Sequence, residues 1–162
     1  MATSSDPIIT LVQAQAPEHI KFFRSLVDEL LEWYGFDLSF QGVDDELANL
    51  PGQYAAPEGA MLLAFVNGIA AGCVAMRPLE QGICEMKRLY VRPDFRSVHI
   101  GRILSKELMD ISRKAGYEAM RLDTRREIMP RAIALYESLG FYEIPPYNEN
   151  PFPDIYYMEC RL

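Results

Sequence analysis

Apolar positions recur along this chain in two rhythms, period two and period three-to-four, and their alternation predicts the elements. Ile8 to Gln13 reads as a strand. Pro17 then opens a helix in which Ile20, Phe23, Val27, Leu30, Leu31 and Tyr34 share one face while Lys21, Arg24, Asp28 and Glu32 face water. Gly35 to Pro57 is mixed, with a short helix expected near Asp44 to Asn49 and with Phe36, Phe40 and Tyr54 looking exposed. Met61 to Val66 and Ala71 to Arg77 are apolar runs parted by Asn67-Gly68, a dipeptide that tolerates the positive φ of a tight hairpin, so they should pair antiparallel. Gln81-Gly82 turns into a third strand, Ile83 to Val91, stopped by Pro93. Ile100, Ile103, Leu104, Leu108 and Ile111 then return at helical spacing. Ala119 to Asp123 is a further strand, Pro130 to Leu139 a helix ended by Gly140, and Phe141 to Ile144 and Ile155 to Cys160 are closing strands joined by the proline-rich PPYNENPFP. The strand–helix–strand crossover makes one strand pair parallel. The expected class is therefore mixed α and β: a mostly antiparallel, mixed sheet of about seven strands with helices.

At 162 residues the chain is expected to form a single domain, residues 1–162, able to bury its own core. Cys73, Cys84 and Cys160 are odd in number, lack CxxC spacing and sit in apolar runs, which points to buried thiols in a reducing compartment. No apolar run approaches the roughly 18 residues of a membrane span, and MATSSDP lacks the regions of a secretory signal, so the expectation is a cytoplasmic protein without membrane contact. His19 and His99 have no neighbours at ligand spacing, so no metal is assigned.

Charge is distributed unevenly. From Lys87 to Lys106 there are six basic residues (Lys87, Arg88, Arg92, Arg96, Arg102 and Lys106) against Asp94 alone, a local +5 in a chain at −7, which leaves −12 on the remainder. The patch lies where a strand passes through a short loop into a helix. The first amides of a helix lack intrahelical partners and carry the positive end of its dipole, so this junction is suited to a phosphate. A single short patch in an acidic chain lacks the broad positive footprint that duplex nucleic acid needs.

At these residues the chain resembles the GNAT acetyltransferase superfamily, whose pyrophosphate loop reads Gln/Arg-x-x-Gly-x-Gly/Ala between a strand and a long helix. Arg96, Ser97, Val98, His99, Ile100 and Gly101 match it, with His99 in place of the first glycine. MKRLYVRP before the loop and ALYESLGF (Ala134 to Phe141) after it resemble the family's flanking segments in order and spacing, so the likeness covers roughly Met61 to Leu162. It implies helices on both sheet faces and a splayed parallel strand pair. It also implies transfer of acetyl from acetyl-CoA to an amine by direct attack in a ternary complex, with a homodimer as a reasonable assembly.

The residues that would carry this chemistry follow by position in the motifs. Arg96 to Gly101 and Arg102 would hold the diphosphate, and the amides of Leu89 and Val91 on the splayed strand would receive pantetheine and the acetyl carbonyl. Since glycine permits positive φ where His99 stands, either a widened loop with weaker cofactor binding or an imidazole facing phosphate is expected. The resemblance makes Glu85 a general base and Tyr136 the acid at the sulfur. Their plainer readings are a surface carboxylate paired with Lys87 or Arg88, and a core tyrosine beside Ala132 and Leu139. With strict alternation Glu85 would share a face with Lys87, Leu89 and Val91. The irregular aromatic segments, Tyr34 and Phe36 on one side and Tyr147, Asn148 and Asn150 on the other, are expected to form the acceptor pocket. A non-catalytic CoA-binding regulatory domain is the alternative.

Overall fold

Each rhythm in the sequence becomes the element it predicts, and the exceptions fall where the chain bends. The computed structural model describes residues 5–35, 38 and 42–162. In chain order it contains β1 (Ile9–Gln13), α1 (Pro17–Tyr34), α2 (Val43–Ala48), β2 (Ala60–Val66), β3 (Ile69–Glu80), β4 (Ile83–Val91), α3 (Ile100–Lys114), β5 (Ala119–Arg125), α4 (Pro130–Ser138), β6 (Tyr142–Glu143) and β7 (Ile155–Arg161). The seven strands form one sheet in the order β1-β2-β3-β4-β5-β7-β6. Neighbours are antiparallel except β4 and β5, which α3 connects as a parallel pair. Asn67 (φ 50°) and Gly68 (φ 81°) supply the left-handed pair that closes the β2–β3 hairpin.

Two apolar clusters lie on opposite faces of the sheet. On one, Ile100, Leu104 and Leu108 of α3 are fully buried against Leu62, Val74, Met76, Met86, Met120 and Leu122. Each such side chain contributes about 1.5–3 kcal/mol by leaving water. On the other, Phe23, Leu26, Val27 and Leu30 of α1 pack against Met61, Leu63, Cys73, Ala75 and Tyr90. Tyr54, which looked exposed in sequence, is 3% exposed in this second cluster, and its hydroxyl donates to Glu46 Oε1 at 2.7 Å. Phe36 and Phe40 lie outside the described residues.

Strand β4 departs from strict alternation at one residue. Cys73 faces Tyr90 and Ala75 faces Lys87, so Arg88 and Leu89 together stand opposite Val74. Arg88 adopts φ 61°, which makes this a bulge with its first residue left-handed. Its guanidinium holds the conformation in place through a two-point pair with Glu46 of α2, Nε to Oε2 at 2.8 Å and Nη2 to Oε1 at 3.1 Å. The extra residue reverses the faces downstream. Glu85 and Lys87 stay on the α1 side, whereas Leu89 and Val91 pack with the α3 cluster, so the expected shared face for these four residues is corrected.

Candidate active site

Between β4 and α3 the chain runs through 3₁₀ turns from Pro93 to Val98 and reaches His99 in the left-handed region, φ 59° and ψ 30°. The backbone takes up here the conformation for which glycine is the usual residue, and the exposed imidazole does not stop it. The first bond within α3 runs from Ile103 N–H to His99 C=O at 3.1 Å, and no side chain caps the helix. The amides of Ile100, Gly101 and Arg102 are therefore at the positive end of a 15-residue helix, ahead of its first internal bond. Gly101 keeps the approach narrow: a Cβ there would meet Leu135 at 3.4 Å.

The basic patch divides once folded. Arg92 turns back to Glu29 of α1, Nη2 to Oε1 at 2.6 Å, and to Ala70 C=O at 2.8 Å, while Arg88 is engaged with Glu46 and Lys87 is buried in the sheet. These three do not belong to the helix start, which corrects their inclusion in one patch. Arg96, Ser97 and Arg102 remain around it, with Arg96 Nε on Val91 C=O at 3.1 Å and Arg102 Nη1 on Ser138 Oγ at 2.9 Å.

The β4–β5 ladder covers only Ile83 to Glu85 against Ala119 to Arg121. Beyond it β4 follows β3 and β5 follows β7, so the parallel pair parts. Arg92 N–H goes to Ala71 of β3 at 2.8 Å; two-residue alternation then directs the N–H and C=O groups of Leu89 and Val91 to the opened edge. A cleft passes through the sheet at this point. Met86, Leu89, Leu122 and Tyr136 line it from the α3 side, and Lys87, Asp123 and Tyr34 from the α1 side.

Tyr136 of α4 is 7% exposed, with its ring 5.8 Å from that of Phe141. Burial, and after it the neighbouring Tyr34 and Asp123, pushes its phenol well above the ordinary tyrosine range. No described residue hydrogen-bonds its hydroxyl, which therefore stays protonated and available toward the cleft. Tyr34 is likewise raised to about 12, chiefly by burial. Lys87 is 8% exposed, and burial, reinforced by Arg88, lowers its ammonium below the usual lysine value despite Glu85 and Asp123.

Glu85 is not a surface carboxylate paired with Lys87 or Arg88. It is 1% exposed, and both oxygens are engaged: Oε1 accepts from Arg77 Nε and Nη2, each at 2.9 Å, and Oε2 accepts from the Tyr147 hydroxyl at 2.7 Å. The expected acceptor residues thus separate. Tyr34 lines the cleft, and Asn148 reaches it by donating Nδ2 to Asp123 Oδ2 at 2.8 Å. Tyr147 instead latches the proline-rich loop onto Glu85, with its ring 5.3 Å from Tyr157, and Phe36 lies outside the described residues. Sequence reading missed Asp123, Lys87 and Arg77. Asp123 falls out of phase with Met120 and Leu122, which alternate in period two, a signal that it takes the other face, but the parting of the strands that exposes it has no local signature. Among the described residues no three His, Cys, Asp or Glu side chains gather as a metal site, and no helix is long and apolar enough to cross a membrane.

Known proteins share this fold. The model of the acetyltransferase (GNAT) family matches residues 23–141. The chain is 45% identical over 156 residues to an N-acetyltransferase of Schizosaccharomyces pombe, covering 95% of each, and 35% identical over 139 residues to the IAA acetyltransferase of Azospirillum brasilense, covering 85% of this chain and 88% of that one. A GNAT-family acetyltransferase of Staphylococcus aureus superposes with a TM-score of 0.78 at 17% identity, over 95% of this chain and 99% of that one. The PaiA N-acetyltransferase of Thermoplasma acidophilum, solved in complex with coenzyme A, gives 0.73 at 19% identity over 96% and 99%. With the open helix start, the bulged β4 and the parted strands already in view, these matches establish that the chain belongs to the acetyltransferase (GNAT) family of acyltransferases.

Proposed function

We propose that the protein transfers an acetyl group from acetyl-CoA to a primary amine by direct attack in a ternary complex. The observation that carries this reading is the cleft at the β4–β5 parting, beside which lie the edge amides of β4 and a phenol with no hydrogen-bond partner among the described residues. The amides of Ile100, Gly101 and Arg102, flanked by Arg96 and Ser97, take the diphosphate. Val98 and His99 shape that loop. Leu89 and Val91 supply edge amides to pantetheine and to the acetyl oxygen, where hydrogen bonds strengthen as charge develops. The amine nitrogen attacks the acetyl carbon, the carbon–sulfur bond breaks, and Tyr136 gives its proton to the departing sulfur. Burial keeps the phenol protonated at neutral pH, so a donor is in place as charge grows on sulfur.

An alkylamine with pKa near 10.4 is neutral in only about four molecules in ten thousand at pH 7, roughly 4.6 kcal/mol against attack, so a carboxylate that receives its proton is useful. Glu85, the base that the motif implies, is held at both oxygens, and we assign it to anchoring Tyr147 and the loop behind it. The alternative, a regulatory CoA-binding domain, would bind the same cofactor without passing its acetyl group to an amine. Incubation with acetyl-CoA and an amine panel, read as free CoA thiol and by mass spectrometry, tests the activity. Thiol release matched by an acetylated amine is expected; absence of an acetyl-CoA thermal shift would overturn it.

A further inference from the structure

We infer that Asp123 is the carboxylate that receives the acceptor's ammonium group and takes its first proton. This rests on the acetyl-transfer reading above and names a catalytic residue within it. Two carboxylates stand on the α1 side of the parting strands, and they differ in what they have left to offer. Glu85 is sealed, with Arg77 on one oxygen and Tyr147 on the other. Asp123 is half-buried, lines the cleft, and uses only Oδ2, for Asn148 at 2.8 Å; among the described residues nothing donates to Oδ1.

Position supports the same residue. Leu122 points into the α3 cluster beside Tyr136, so its neighbour Asp123 faces α1 across the same opening. The thioester sulfur belongs to the Tyr136 side and an acceptor entering from the α1 side meets Asp123. The carboxylate is surrounded by Lys87 of β4, Tyr34 of α1, Tyr136 of α4, Arg125 of its own strand, and Asn148 and Tyr157 beyond. Its charge is felt by the phenols of Tyr34, Tyr136 and Tyr157, each of which it raises. Arg125 is tied to Asp154 at 2.9 Å, and Lys87 lines the same cleft. The acceptor is thus an alkylamine whose ammonium meets Asp123 from the α1 side.

Two protons leave the nitrogen during transfer. The first passes from the bound ammonium to Asp123 Oδ1 and on to solvent, freeing the lone pair that forms the carbon–nitrogen bond. The second leaves after attack and replaces the one that Tyr136 hands to sulfur, so the products are the acetamide, CoA thiol and one released proton.

Asp123→Asn keeps shape and removes the charge, and the wild type and variant are compared with tyramine, lysine methyl ester and spermidine, and with p-toluidine, whose nitrogen is neutral at pH 7. The acetyl-CoA thermal shift of the variant should match the wild type. Its kcat/KM should fall about 100-fold for the alkylamines and less than about fivefold for p-toluidine, with Asp123→Glu recovering part of the loss. Equal losses for both amine classes, or no loss, would overturn the inference. So would a wild type that binds acetyl-CoA but acetylates none of the alkylamines, while acetyl transfer to p-toluidine would still support the broader reading. A wild type without an acetyl-CoA shift would overturn both.

Discussion

The two halves of β4 belong to one strand yet differ in what pairs with them. Before the bulge, Ile83 to Glu85 is bonded on both edges, to β3 and to β5, and Glu85 is locked by Arg77 and Tyr147. After it, the strand keeps one edge on β3 and has no strand partner on the other, and nearby Asp123 keeps one oxygen without a donor among the described residues. The left-handed residue at Arg88 separates the halves, and Glu46 secures it from α2. Glu85 and Asp123 are both carboxylates on the α1 side of these strands, and what distinguishes them is whether their hydrogen-bonding capacity is already filled.

The sharpest way to break this contrast is in the closed half. Arg77→Met leaves the Glu85 carboxylate buried without its cation, which should cost about 3–5 kcal/mol in urea unfolding, whereas Arg77→Met with Glu85→Met should recover much of it. Arg96→Met in the open half should cost less than about 1 kcal/mol. Similar losses from the two single variants would dissolve the distinction.

Next in size is the phenol of the open half. Tyr136→Phe should lower kcat about 100-fold, roughly 2.7 kcal/mol, with little change in the KM for acetyl-CoA. Undiminished turnover would leave Tyr136 as core packing against Phe141.

The bulge itself can be probed by acid. For Glu46, burial alone would raise the carboxyl, but the hydrogen bond and charge of Arg88 prevail and hold it below its ordinary 4.5. Glu29 is lowered by its bond to Arg92. A depressed folded-state value contributes stability that is present above about pH 4.5 and lost as pH falls through the folded pKa. Melting temperature should thus fall as pH drops from about 5 to about 3, and Glu46→Gln should flatten that decline while lowering stability near neutrality. An unchanged slope would show that the Arg88 pair does not anchor the bulge.

The smallest effect belongs to His99. Glycine in its place relieves about 1 kcal/mol of left-handed strain and should leave acetyl-CoA affinity within about threefold, measured by calorimetry. A large loss would mean that the imidazole itself contacts the cofactor.

Much of the fold was legible because periodicity is local. The α1 stripe, the Asn67-Gly68 hairpin and the α3 stripe from Ile100 each declare themselves within a few residues. The loop and Tyr136 were found through three ordered motifs. What escaped is non-local. The face of Leu89 depends on a bulge that Glu46, 42 residues away from Arg88, helps to hold. The state of Glu85 depends on Arg77 and Tyr147, and the accessibility of Asp123 depends on where two strands cease to pair. Tyr54 looked exposed because its partner, Glu46, is not visible in its own surroundings.

The most direct test of the proposal that the helix start and the opened strand edge receive coenzyme A is an amide-resolved NMR titration of the protein with that cofactor. Large shifts at Ile100, Gly101 and Arg102, with smaller ones at Leu89 and Val91, are expected. Saturable binding that leaves those five amides unmoved and shifts a different surface would contradict it.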